Sequence, residues 1–429
     1  MITRDDCVAR DAADSLAPLR ALFALERVDR EGVIYLDGNS LGVLPKTSIS
    51  RIKDVVESEW GGGLIRSWNT AGWITLAQRI GDKIAPLVGA RTGEVTVGDS
   101  TSVNLFKALS AARPPSPPAP AGQARTVILS ERTNFPTDLY IADTFAREHS
   151  LELVLVDQAE IPNRLDDRVA ILMLTHVNYR TGHMHAMREL TKAAHAAGAI
   201  VVWDLAHSAG AVPVDLHDAD ADFAIGCGYK YLNGGPGAPA FIWAHPRHTA
   251  RMDREGWRPP LSGWLGHAQP FAFEPHYQPA KGIQRFICGT PPVLSLAALE
   301  CGVDTVLAAG GVGGIGAIRE KSIALTDLFI ELVEDRCADQ GFTLVTPRHA
   351  ASRGSQVSIA QSADGYAIMQ ALIARGVIGD FRAPDILRFG FTPLYTRFTD
   401  VWDAVERLRL VMTSGEWREP RFAVRAAVT

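Results

Sequence analysis

Three apolar runs, LELVLV (151–156), VAILMLTHV (169–177) and AIVVWD (199–204), constrain this chain more than any other feature. Each is short and apolar almost throughout, not alternately. Strands of that kind are covered on both faces, which is the setting of a parallel sheet. The segments around them agree. FPTDLYIADTFAREH (135–149) has helical spacing, and AMRELTKAAHAAG (186–198) reads as a helix ended by glycine. TSVNLFKALSAA (101–112) reads as a further helix, RTVILS (125–130) as a β-rich run and ADFAIGC (221–227) as another buried strand. This alternation predicts an α/β fold, a mostly parallel sheet with helices on both faces.

After about residue 300 the pattern changes. A long helical stretch, GAIREKSIALTDLFIELVEDRC, precedes strand-like GFTLVTP, a helix near DGYAIMQALIARG, and ILRFGFT. That reads as a smaller C-terminal α+β domain. The expected division is an N-terminal segment 1–45, a large domain 46–298, and a small domain 299–429 joined by the N-terminal segment. RPPSPPAPAG (113–122) suits neither helix nor central strand and is expected to be an exposed connection.

Composition bears mainly on exclusions. At 429 residues, 47% hydrophobic and 21% charged, the chain has ample core for two or three domains. A formal net charge of −5 implies no basic face for nucleic acid. No run approaches the roughly 18 apolar residues of a membrane helix, and MITRDDCVARDAADS lacks the apolar stretch of a signal peptide. The cysteines at 7, 227, 288, 301 and 337 form no CxxC pair, which argues against zinc and a disulfide framework. A cytoplasmic protein with reduced thiols is expected.

Open parallel sheets bind ligands at the carboxyl ends of their strands, and three features fall at such ends. Asp204 closes AIVVWD, with His207 three residues on. Lys230 follows ADFAIGC inside GCGYKYLNGGPG. In GDSTSVNL (98–105), Asp99, Ser100, Thr101 and Ser102 crowd a helix start. Free N–H groups and the positive dipole end make such a start a phosphate cradle. A cradle, a strand-end aspartate and a semi-buried lysine together point to pyridoxal phosphate. The lysine attacks the cofactor aldehyde, which a partly desolvated pocket favours, and the aspartate keeps the pyridine nitrogen protonated. The glycines after Lys230 are expected to allow a sharp turn and a close approach to the cofactor. Each feature also has a plainer reading. Asp99 and Ser100 suit an ordinary N-cap, Asp204 a solvated turn, Lys230 a snorkelling surface lysine and His207 a structural histidine.

The longer motifs bear on that choice. AIVVWDLAHSAGAVPVDLHDADADFAIGCGYKYLNGGPGAPAFIW (199–243) strongly resembles kynureninases of the bacterial type, pyridoxal-phosphate enzymes of the aspartate-aminotransferase fold. YLDGNSLG, IRSWNTAGW, DSTSVNLFKAL, ERTNFPTDLY, HVNYRTG, GWLGH, RFICGTPP and ILRFGFTPLY extend the resemblance from about residue 30 to 400. The resemblance implies that Lys230 carries the cofactor and that Tyr229 reaches its phosphate and returns a proton to Cβ. Thr101 and Ser102 lie at the phosphate, and Phe135 stacks on the ring with Pro136, Thr137 and Asp138 beside it. Thr175 lines the cofactor, Asp204 pairs with the ring nitrogen and His207 supports that side. Trp264 and Thr290 complete the phosphate side, reaching into the partner's site of a homodimer, and Arg388 grips the substrate α-carboxylate. The implied reaction is hydrolysis of L-kynurenine, with 3-hydroxykynurenine as a further substrate, to anthranilate and L-alanine. No metal is implied.

Other features admit competing readings. GVGGIG (311–316) satisfies GxGxxG but follows helix-like VLAAG instead of a strand. His183 and His185 form an HxH without a recognisable third ligand. His267 suits a structural role or a contact to the aryl ketone, and Trp68 and Trp73 suit core or a substrate wall. A cysteine desulfurase or selenocysteine lyase on the same fold needs an accessible cysteine on a C-terminal loop, a context that Cys301 and Cys337 lack. A non-catalytic regulator module would bring a DNA-binding domain, for which no residues are left over.

Overall fold

A computed structural model describes residues 2–113 and 125–425. Apart from Arg113, the expected connection 113–122 lies outside the described residues. Seven strands form the main sheet: β1 (Val95–Val97), β2 (Val127–Glu131), β3 (Glu152–Val156), β4 (Val169–Thr175), β5 (Ile200–Asp204), β6 (Phe223–Gly226) and β7 (Phe241–Ala244). Their order is β1-β7-β6-β5-β4-β2-β3. Strands β2 to β6 pair in parallel, whereas β7 is antiparallel to both β6 and β1. The mostly parallel α/β sheet expected from the apolar runs is therefore present, with one reversed strand near an edge.

Strand alternation explains why the runs are apolar throughout. Along β4, Ile171 and Met173 point to one face and pack with Leu105, Ala108 and Phe145 of the helices Thr101–Ala112 and Pro136–Glu148. Leu172 and Leu174 point to the other and share a core with Trp203, Leu296 and Val303. With both faces covered, every residue of β4 is buried. A fully buried aliphatic side chain contributes about 1.5–3 kcal/mol, so a polar residue at any of these positions would cost heavily.

The second sheet, β8 (Thr343–Leu344), β9 (Gln356–Ala360), β10 (Asp380–Arg382) and β11 (Ile386–Gly390), is antiparallel in the order β10-β11-β9-β8. It shares a core with the helices Gly314–Arg336, Gly365–Ala374 and Phe398–Ser414. The N-terminal helix Arg4–Ala12 joins this unit. Cys7 enters its core, Arg4 bonds Asp403 through two nitrogens at 2.8 and 3.0 Å, and Asp11 accepts from Phe398 N at 2.6 Å. Ile34–Tyr35 pairs in parallel with Val377–Ile378.

One exclusion needs correction. Among the described residues, Val293–Val312 is a segment long and apolar enough to cross a membrane. Its helix Val293–Leu307 places Leu296, Leu299, Val303 and Val306 in the main core, and Glu300 bonds Arg79 at 2.8 Å. Those contacts account for its apolarity as core packing. The helix also spans residue 298.

Candidate active site

The strand register builds the floor of the site. Thr175 is the last residue of β4 and lies opposite Asp204, the last of β5; Asp204 in turn lies opposite Ile225 of β6. Three neighbouring strand ends thus deliver Thr175, Asp204 and the turn that carries Tyr229 and Lys230. They open into a cavity of about 430 Å³, within the usual range for a small-molecule site. Of the residues expected from sequence, Thr101, Ser102, Phe135, Asp138, Thr175, Asp204, His207, Tyr229 and Lys230 all line it. Pro136 and Thr137 do not; they begin the helix Pro136–Glu148, which carries Asp138 to the cavity.

Two carboxyl groups lie together at the bottom. Thr175 Oγ1 is 3.4 Å from Asp204 Oδ2 and 3.5 Å from Asp138 Oδ2, and Ala206 N donates to Asp204 Oδ1 at 2.8 Å. Burial raises both carboxyl pKa values. Asp204's charge pushes Asp138 further up, whereas the Lys230 ammonium draws Asp204 back. A cationic ring N–H placed here would favour the charged form of Asp204. Lys230 Nζ lies 2.8 Å from His207 Nε2, 6.0 Å from the Phe135 ring centre and 5.7 Å from that of Tyr229. Burial, then the Lys230 charge, holds His207 well below its ordinary value and therefore neutral. Burial also raises the Tyr229 phenol, which keeps its proton at neutral pH.

The opposite end is the start of the helix Thr101–Ala112. Ser100 is its cap, with Oγ accepting from Val103 N at 3.3 Å. Asp99 lies just outside, in the left-handed region at φ 52°. The glycines after Lys230 divide in role. Gly235 and Gly237 take φ of 85° and 71° and make the sharp turn, and Gly237 lines the cavity. At Gly234 a Cβ would meet Leu299 Cδ1 at 2.6 Å, so this glycine serves packing, not approach to a cofactor; Gly228, before Lys230, is likewise closed in by Pro239 O at 2.4 Å.

Besides Pro136 and Thr137, three expected residues lie off the cavity wall: Thr290, Trp264 and Arg388. Thr290 is exposed. Trp264 is half-buried, its ring 5.9 Å from Trp68 and 5.7 Å from Phe271. Trp73 donates to Glu59 Oε2 at 2.6 Å and, with Trp68, belongs to this aromatic cluster. Arg388 is 1% exposed on β11. Its Nη2 bonds Asp380 Oδ2 at 2.5 Å and Ser40 Oγ at 2.6 Å, and its Nη1 donates to the Tyr179 carbonyl at 2.9 Å. Asp380 is its cross-strand partner on β10, a pairing that sequence distance hides. Tyr179 and Asn134 were missed as site residues. Tyr179 lines the cavity, its ring edge-on to Phe135 at 5.3 Å. Asn134 accepts from both Thr175 Oγ1 and Phe135 N, fixing the hydroxyl and the ring-bearing backbone. Both fall inside quoted motifs, HVNYRTG and ERTNFPTDLY, and a polar residue flanking a predicted ring contact was the available signal.

The remaining sequence features lie in local contacts away from this cavity. GVGGIG follows a helical turn and opens the helix Gly314–Arg336 with no strand before it. His185 pairs with Glu131 at 2.8 Å and His183 with Gln158 at 2.6 Å, and no group of three metal-ligating side chains occurs among the described residues. His267 Nε2 lies 3.4 Å from His276 O, away from the cavity wall. Cys301 and Cys337 are buried.

The residues fit pyridoxal phosphate. The helix start offers hydroxyls and free N–H groups to a phosphate, Phe135 offers a ring face, Asp204 a strand-end carboxylate with the Asp138 carboxyl beside it, and Lys230 an amine. Fold and site together define a pyridoxal-phosphate-dependent enzyme of the aspartate-aminotransferase type. Solved structures agree on the fold. A cysteine desulfurase from Thermococcus onnurineus NA1 superposes with a TM-score of 0.73 at 18% identity, covering 92% of this chain and 98% of its own. A C-DES mutant with glycine covalently linked to its PLP cofactor gives 0.75 at 18% identity, covering 91% and 98%. Sequence comparison is more specific. The kynureninase of Pseudomonas fluorescens is 55% identical over 432 residues, and that of Burkholderia pseudomallei strain K96243 is 56% identical over 434, each covering 100% of both chains. A family model described as "Kynureninase C-terminal domain" matches residues 318–408. The chain belongs to the kynureninase family.

Proposed function

We propose that this protein hydrolyses the Cβ–Cγ bond of L-kynurenine, giving anthranilate and L-alanine in tryptophan catabolism. The observation that carries this reading is full-length identity of 55% to a kynureninase, in a chain whose adjacent strand ends bring Thr175, Asp204 and Lys230 into one cavity. 3-Hydroxykynurenine is a further substrate on this reading.

Bound pyridoxal phosphate supplies an electrophilic carbon for the substrate amine and a cationic ring that takes up electron density from Cα and Cβ. The protein does the rest. Lys230 Nζ, free when the substrate amine holds the cofactor, would take the Cα proton as its ammonium and return it to Cα of the alanine product. Asp204, with Asp138 beside it, holds the proton on the ring nitrogen. Phe135 fixes the ring plane, and Thr101 and Ser102 with Tyr229 hold the phosphate. Water adds its oxygen to the aryl-ketone carbon, the Cβ–Cγ bond breaks, and Tyr229, whose phenol keeps its proton, returns one to Cβ. Arg388 grips the α-carboxylate. A carboxylate there competes with Ser40 and the Tyr179 carbonyl, both neutral, and leaves the Asp380 pair intact.

Trp264 and Thr290, set away from this cavity, are proposed to serve the partner's site in a cytoplasmic homodimer. Residues 46–298 are proposed as the cofactor domain, with 299–429 and the segment 1–45 as the smaller one. Support comes from the N-terminal helix and Ile34–Tyr35, which pack and pair with C-terminal elements. Purified protein supplied with pyridoxal phosphate and L-kynurenine should release fluorescent anthranilate. Cofactor binding without anthranilate or alanine would refute the substrate assignment.

A further inference from the structure

One buried charge has no part in the chemistry above. Lys107 lies two turns into the helix Thr101–Ala112 and is 1% exposed. Its Nζ reaches Asp99 Oδ2 at 2.5 Å and the Phe286 carbonyl at 2.5 Å. An ammonium so deeply buried is costly unless paired and hydrogen-bonded, and here both partners are specific. Asp99 lines the cavity beside Ser100, Thr101 and Ser102. It holds φ 52°, a conformation that non-glycine residues adopt infrequently. Phe286 lies in RFICGTPP, the stretch that leads to Thr290.

This arrangement matters for an anion. A phosphate monoester brings about −1.5 to −2 charges at neutral pH. Held by the helix start, it would lie beside the Asp99 carboxylate, which would repel it. Among the described residues, no arginine lines the cavity, and Lys230 is the one lysine that does. Lys230 is committed to the aldehyde end. The helix dipole and the hydroxyls attract the phosphate, yet an uncompensated Asp99 would offset much of that attraction.

We propose that Lys107 is a positioning residue for the cofactor phosphate: from beneath the cradle it neutralises Asp99 and ties the 98–102 turn to the RFICGTPP stretch. The role rests on the reading of this cavity as the pyridoxal-phosphate site. It is a role in recognition of a phosphate group, not in proton transfer.

The test uses apo protein as wild type, Lys107→Met, Asp99→Asn and the double variant. Each is titrated with pyridoxal phosphate and, separately, with pyridoxal, which has the same ring and aldehyde but no phosphate. Binding is followed by absorbance and tryptophan fluorescence. Lys107→Met should weaken pyridoxal phosphate at least tenfold and pyridoxal less than threefold. Removing both charges should restore pyridoxal phosphate to within threefold of wild type, and Asp99→Asn alone should bind it as tightly as wild type or more tightly. Equal losses for both ligands would reduce Lys107 to a support of the fold and overturn the proposal. So would an unchanged affinity in Lys107→Met, or a double variant as weak as the single. If Lys107→Met does not fold, the two Asp99→Asn proteins decide, since a tenfold loss in either contradicts charge repulsion by Asp99. Wild type that binds pyridoxal but gains nothing from its phosphate would refute the cradle itself, a result distinct from these.

Discussion

Arg388→Lys is the substitution that separates substrate recognition from cofactor chemistry. Arg388 makes three side-chain hydrogen bonds in this structure, to Asp380, Ser40 and the Tyr179 carbonyl, from two nitrogens of a rigid fork. A lysine ammonium at the same position can keep the Asp380 pair but not the forked geometry. Losing one charged hydrogen bond to the carboxylate in a desolvated site costs about 1.5–3 kcal/mol, and the misplaced second contact adds to it. The expected loss in kcat/KM for kynurenine is therefore about 2–4 kcal/mol, or about 30- to 1000-fold. Arg388 does not line the cavity, so cofactor binding and its absorbance spectrum should stay those of wild type. The assay compares kynurenine with an analogue lacking the α-carboxylate. The analogue should lose far less between wild type and variant, because it never used the fork. Equal losses for the two compounds would refute the reasoning and show that Arg388 acts through packing of β10 and β11.

Three further outcomes follow from the site. Asp204→Ala leaves the ring nitrogen without its anionic partner and should slow Cα proton exchange at least about tenfold, read as deuterium incorporation; an unchanged rate would contradict the role. Trp264→Ala and Lys230→Ala chains, each inactive alone, should regain partial activity when mixed if Trp264 serves the partner's site, and an active monomer in sedimentation would exclude that arrangement. Asp37 gives a pH signature. Burial pushes its carboxyl up to about 7, against the pull of Arg388. The folded state then keeps a proton that the unfolded chain releases near pH 4, so stability falls as pH rises from about 4 to 7, by up to about 4 kcal/mol. Relative to Asp37→Asn, wild type should lose stability across that window in urea melts, and a flat difference would rule the linkage out.

What the sequence displays depends on whether a residue's partner is local or distant. Asp204 and Lys230 were legible because each follows an apolar strand, and a strand end in a parallel sheet is a ligand position. The helices Met187–Ala196 and Gly365–Ala374 were legible from spacing and terminal signals. The helix start at 98–105 was placed correctly, but the cap belongs to Ser100, since Asp99 is held outside the helix by a lysine two turns away. Strands β1 and β7 went unread because VTV and FIWA are too short to stand out, so the reversed strand was invisible. Two contacts depend on how elements assemble. Asp380 meets Arg388 only because β10 and β11 pair in one alignment, and Asp138 meets Asp204 only because its helix packs over β2 and β3 with its start beside the ends of β4 and β5. The apolar segment Val293–Val312 went unread in sequence, and its helix Val293–Leu307 is apolar because it packs into the main core.

Borohydride reduction during turnover-competent loading tests the central claim most directly. Wild-type protein loaded with pyridoxal phosphate, reduced and mapped by peptide mass, should carry the label on Lys230. The same unreduced preparation should convert L-kynurenine to equimolar anthranilate and L-alanine, and Lys230→Ala should do neither. Label on Lys192 or Lys281, or anthranilate formation that survives Lys230→Ala, would contradict the account.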